Sequence, residues 1–97
     1  MTQICVWYKL VNPDGRAFKG ATATRAFVFE DAIVDDLRDS VKAKNADDLV
    51  GVYAARLLVY TSDWTPGSDT KVLEVDTPVN GLGKVKENAL VVVVPSN

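Results

Sequence analysis

The patterning of this chain predicts an α+β domain, a mixed sheet of about four to five strands packed on one helix. Three observations carry that reading. The stretch Val34-Asp35-Asp36-Leu37-Arg38-Asp39-Ser40-Val41-Lys42-Ala43-Lys44-Asn45 sets Val34, Leu37 and Val41 on one helical face, with Asp35, Asp36, Arg38 and Lys42 pointing away. Strand-like runs stand on both sides of it, two before and more after. At 97 residues the chain makes one domain, 1–97, with one core that buries about 60 to 65% of its unfolded surface and needs no staples.

Each element has a local reason. Gln3 to Val11 is rich in β-formers with period-2 alternation, and the turn chemistry of Asn12-Pro13-Asp14-Gly15 ends it. Gly20 and an Ala/Thr series dilute the stretch from Arg16 to Phe29, and Ala26-Phe27-Val28-Phe29 is the part that reads as the second strand. Glu30, Asp31, Asp35 and Asp36 gather at the start of the helix and Lys42 and Lys44 at its end, complementing the helix dipole. Ala46-Asp47-Asp48-Leu49-Val50-Gly51 turns the chain back, and Ala55-Arg56-Leu57-Leu58-Val59-Tyr60 is a third strand. The polar loop Thr61 to Thr70 contains Pro66, Gly67, Ser68 and Asp69 and reads as the most mobile segment. Lys71-Val72-Leu73-Glu74-Val75 is a short strand or extended piece, and Asn80-Gly81-Leu82-Gly83 is a turn. The last strand, Ala89-Leu90-Val91-Val92-Val93-Val94, stops at Pro95, which has no N–H for a ladder.

Composition excludes several function classes. Eleven basic residues against 13 acidic ones give a net charge of -2, without the broad positive field that nucleic-acid binding requires. With Cys5 the single cysteine and no histidine, neither an internal disulfide nor a zinc site is expected, and no cofactor is implied. Acid-base or nucleophilic catalysis needs a constellation this chain does not display, so a non-enzymatic role is expected. No apolar window reaches the length of about 18 residues that a membrane span needs. The opening Met1-Thr2-Gln3-Ile4-Cys5-Val6-Trp7-Tyr8-Lys9 does not read as a conventional signal peptide, lacking a basic region followed by an apolar one.

Element order and spacing together suit a β-grasp, in which the first hairpin embraces the helix and the last strand inserts beside the first. Those two strands are then central. The inward set is Ile4, Val6, Tyr8, Leu10, Val34, Leu37, Val41, Leu57, Val59, Leu90, Val92 and Val94. The same alternation leaves Cys5, Trp7, Leu58, Tyr60, Val91 and Val93 on the sheet's other face. Of these, Trp7, Leu58, Tyr60, Val91 and Val93 are the candidate partner-binding residues, because an exposed apolar patch of more than about a few hundred Å² marks an interaction site. Two other readings stand beside this one: the Thr61 to Thr70 loop, with Trp64, folds over the face and makes it core, or the face is a contact between molecules.

The helical stretch combines an acidic-Leu-basic-acidic run with a Lys-Ala-Lys-Asn ending at Lys42-Ala43-Lys44-Asn45, and the chain closes on Asn88-Ala89-Leu90-Val91-Val92-Val93-Val94-Pro95. In these motifs, and over nearly its whole length, the chain resembles the amino-terminal header domain of Crinkler effectors from oomycetes and fungi, itself similar to ubiquitin. Oomycete members carry a Leu-Phe-Leu-Ala-Lys motif where this chain has Leu57-Leu58-Val59-Tyr60-Thr61, so the likeness is to a fungal-type or divergent member. The resemblance implies a delivery module that mediates secretion or translocation into host cells. In the family a variable carboxy-terminal region carries the effector activity, often in the host nucleus, and this chain, which stops just after its last strand, looks like an amino-terminal domain without that region. The implied partner is a host or secretion-pathway protein.

The likeness to ubiquitin adds a second expectation. Leu58, Val91 and Val93 fall where ubiquitin presents the apolar patch its partners use, and Trp7 would extend that patch. Pro95-Ser96-Asn97 is not the terminal Gly-Gly used for conjugation, so surface recognition is what the likeness retains. The alternative function is a ubiquitin-like docking module, inside a larger intracellular protein, that uses this sheet face.

Weaker candidates read as structural. Cys5 has no histidine or helix N-terminus to activate its thiol, and Asp35, Asp36 and Asp39 suit a solvated helix face better than a metal site. Gly81-Leu82-Gly83 lacks the context of a phosphate loop, and Lys84-Val85-Lys86 is too short for a nucleic-acid patch. Trp64 reads as the anchor of its own loop.

Overall fold

Five elements follow one another along residues 2–95, the part of the chain that the computed structural model describes: β1 (Gln3–Val11), β2 (Thr24–Phe29), α1 (Val34–Lys44), β3 (Leu58–Tyr60) and β4 (Leu90–Val93). Met1 and the terminal Ser96 and Asn97, the last two part of the ending read above as unlike a Gly-Gly tail, lie outside the described residues. The strands form one four-stranded sheet in the order β2-β1-β4-β3. β1 runs antiparallel to β2 and parallel to β4, and β3 runs antiparallel to β4. The first and last strands are therefore central, with one helix on the mixed sheet, an α+β architecture consistent with a β-grasp.

The core lies between α1 and the sheet. Val6, Tyr8, Leu10, Leu57, Val59, Leu90, Val92 and Val94 meet Val34, Leu37 and Val41 of the helix, all buried, and Ile4 packs half-buried at the rim. Ala26, Val28, Ala32, Leu49, Val52 and Val79 complete it. The last three come from irregular segments, where no periodicity marks a residue as inward.

Backbone demands explain how α1 is held. Its first free amides are satisfied from the 75–77 segment, with Val34 N–H donating to Thr77 O at 2.9 Å and Asp35 N–H to Val75 O at 3.0 Å. Asp36 Oδ2 accepts from Ile33 N–H at 3.0 Å, which places its carboxylate at the positive end of the helix. At the other end Asn45 Nδ2 donates to Val41 O and to the buried Tyr8 hydroxyl, both at 2.9 Å, pinning the helix to β1. Burial pushes the Tyr8 hydroxyl above its ordinary pKa, and the Asn45 bond opposes that shift.

Four expectations are refined. Arg38 and Lys42 do not simply point away: Arg38 Nη1 donates to Ala55 O at 3.0 Å, Arg38 Nη2 meets Asp35 Oδ1 at 2.7 Å, and Lys42 Nζ donates to Leu49 O. Their long stems lie along the apolar surface while the charged heads satisfy carbonyls of the returning chain. The third strand is shorter than expected, because Ala54–Arg56 forms a 3₁₀ turn and only Leu58–Tyr60 finds partners on β4. Lys71 to Val75 is the extended piece and not a strand, joined to β3 by Leu73 N–H donating to Val59 O at 2.8 Å. The Asn80 to Gly83 turn does more than reverse the chain. Trp7 N–H donates to Gly83 O at 2.7 Å, and a Cβ at Gly83 would stand 2.6 Å from Trp7 O, so only glycine lets this turn lie against β1.

Candidate functional site

The strand register defines the sheet's outer face, away from α1. On β1 it carries Cys5, Trp7, Lys9 and Val11; Cys5 stands opposite Phe27 and Trp7 opposite Arg25 of β2. On the other side Lys9 pairs with Val91 and Val11 with Val93, while Leu58 and Tyr60 of β3 stand opposite Val93 and Val91. The five candidate residues thus share one face, as alternation requires.

They do not share one environment. Val91 is 1% and Val93 5% exposed, so neither is available to a partner, and the expected exposed patch is overturned on this half of the face. With Val11 they form a second, smaller core beneath Tyr60 and Trp64. The Tyr60 and Trp64 rings stack at 5.2 Å between centroids and 29° between planes. The loop that carries Trp64 continues to the β1–β2 turn, where a Cβ on Gly15 would lie 2.7 Å from Pro66 Cγ. Trp64 N–H donates to Thr61 O at 3.1 Å and Ser68 N–H to Thr65 O at 3.0 Å, so this loop has its own hydrogen-bonded turns. The physical reason for the correction is that alternation assigns a side chain to a face, whereas cover depends on a loop the alternation does not describe. Leu58, 41% exposed, stays at the margin of the roof, and half-buried Tyr60 is part of the roof itself.

The β1–β2 half is open. Phe27 is 57% and Phe29 47% exposed, flanked by half-buried Cys5 and Trp7. The Arg25 guanidinium stands 5.6 Å from the ring centroids of both Trp7 and Phe27, a cation held between two aromatic faces. After β2 the chain turns at once toward the helix side, with Ala32 N–H donating to Phe29 O at 2.9 Å. Of the candidate residues, Trp7 belongs to this open half. Sequence reasoning misses Arg25, Phe27 and Phe29, although the signal is present: once Ala26 and Val28 are inward partners of Val6 and Ile4, the arginine and both phenylalanines must face out.

The remaining side chains considered have structural roles or structural surroundings. Asp36 caps α1 and Asp35 pairs with Arg38, so the acidic turn is engaged by the helix itself. Trp64 anchors its loop through Tyr60. What the open half offers is an aromatic surface with a cation held against it. No family model matches the chain, and a comparison with curated proteins finds no match either.

Proposed function

We propose that this chain is a non-enzymatic β-grasp module, the amino-terminal domain of a secreted Crinkler-type effector, mediating secretion or translocation into host cells. The effector activity then belongs to a carboxy-terminal region, and the partner is a host or secretion-pathway protein. One observation carries the reading: the two segments on which the resemblance rests, Val34 to Asn45 and Asn88 to Pro95, coincide with α1 and the central strand β4. Leu37, Val41, Leu90 and Val92 from these segments are buried in one core, which supports reading them as the signature of a fold and not as surface motifs.

The test is delivery. Residues 1–97 are fused to a reporter enzyme, expressed in the source organism or a transformable relative, and reporter activity is measured inside neighbouring host cells. Activity there is the expected result, and a folded fusion that stays in the producing cell overturns it. That second outcome favours the other reading, a ubiquitin-like docking module of a larger intracellular protein. The open aromatic half-face of Trp7, Phe27 and Phe29 is the observation that favours it.

A further inference from the structure

β2 is an edge strand, and among the described residues no other strand pairs with its outer side. Glu30 N–H donates to Thr2 O at 2.9 Å, which fixes Thr24, Ala26 and Val28 as the β2 residues bonded to β1. Trp7 N–H donates away from β2, to Gly83 O at 2.7 Å, as that parity requires. Arg25, Phe27 and Phe29 therefore aim their backbone N–H and C=O groups outward. Phe29 O accepts from Ala32 N–H and Arg25 O from Lys44 Nζ. Between them Phe27 keeps both backbone groups unpaired among the described residues. Edge strands are ordinarily blunted by charge, proline or cover; here Arg25 and Lys44 guard one end, while Phe27 and Phe29 stay exposed along the rest.

Charge along this edge is polar from end to end. Two clefts, of 320 and 520 Å³, run between β2 and α1. Asp31, Asp36 and Asp39 line the first beside Phe29, and Arg25 and Lys44 line the second beside Phe27. Ser40, a small residue of the helix, lines both.

We propose that a second copy of this chain occupies the edge, its β2 pairing antiparallel with this β2 about a two-fold axis at Phe27, so that the two sheets become one. In that register the two Phe27 residues exchange both N–H···O bonds, and Arg25 stands opposite Phe29 of the other copy. The basic end of each groove then meets the acidic end of its mate, whereas parallel pairing would set like charges together. The surface is complementary to itself in hydrogen bonding, aromatic character and charge. This assignment rests on the edge geometry and not on the family resemblance, so a failed delivery assay leaves it standing.

Sedimentation equilibrium of residues 1–97, taken up to about 1 mM, where even a weak pair is half formed, tests it. The expected result is a monomer–dimer equilibrium that weakens in about 1 M NaCl, where the screening length falls to about 3 Å. Phe27→Pro removes an outward N–H and spares the β1 ladder, so it should abolish the dimer while keeping the circular dichroism of the fold. Should that variant not fold, two charge-altered chains decide the matter. Arg25→Glu with Lys44→Glu, and Asp31→Lys with Asp39→Lys, should each be monomeric alone and form a heterodimer when mixed. A wild-type chain that is monomeric throughout, a folded Phe27→Pro that dimerises undiminished, or a mixture that does not associate overturns the proposal.

Discussion

The two halves of the sheet's outer face carry similar side chains and meet opposite fates. Over β3 and β4, Val91 and Val93 are sealed beneath Tyr60 and Trp64; over β1 and β2, Phe27 and Phe29 stand in solvent with Arg25 beside them. Alternation does not distinguish them. The difference is the connection that follows each strand: β3 leads into a loop whose tryptophan returns over the sheet, and β2 leads directly to the helix on the opposite side. Apolar side chains on a strand thus become a second core or a recognition surface according to where the next ten or so residues go, about the length of a long connection in a small domain.

The sharpest way to break this comparison is a charge in the roofed half. Val91→Asp should cost at least about 4 kcal/mol, because an unpaired carboxylate would be buried, and should unfold a domain of ordinary stability. Leu58→Asp, at the margin of the roof, should stay near-native in the same urea titration. Equal tolerance of both would mean that the roof is not in place. Next in size, Leu37→Ala on the helix side should cost about 2 to 5 kcal/mol by the same measurement, setting the scale of a fully packed site.

Trp64→Ala should cost about 1 to 3 kcal/mol and raise binding of a hydrophobic dye, since it removes the stack on Tyr60 and uncovers Val91 and Val93. A variant with unchanged dye binding would place the cover elsewhere. A titration probes the helix side by itself. The Tyr8 hydroxyl ionises above its ordinary value of 10.0 in the folded chain, so the unfolded chain loses this proton first. Stability should therefore be full below pH 10.0, as far as Tyr8 decides it, and fall as pH rises toward the folded value. In Tyr8→Phe that alkaline loss should shrink, as urea midpoints measured across the range would reveal. The smallest effect belongs to the open half: Phe27→Ser should change stability by no more than about 0.5 kcal/mol, and a larger loss would show that this half is covered too.

What the sequence determined by itself was everything governed by local periodicity. The spacing of Val34, Leu37 and Val41 fixed the inward face of α1, and the alternation of Val6, Tyr8 and Leu10 with that of Leu90, Val92 and Val94 fixed the inner face of the two central strands. Those patterns repeat within a few residues, so the side chains that read them also obey them. Leu49, Val52 and Val79 escaped because they lie in segments with no period, buried only once distant elements close over them. Arg38 escaped in part: its pairing with Asp35, three residues earlier, is local to the helix, whereas its bond to the Ala55 carbonyl forms only when the returning chain crosses the helix. The candidate site divides along the same line. Alternation put Trp7, Leu58, Tyr60, Val91 and Val93 on one face, and tertiary structure alone decided which of them solvent reaches, because burial is a property of what packs above a residue and not of the strand that carries it.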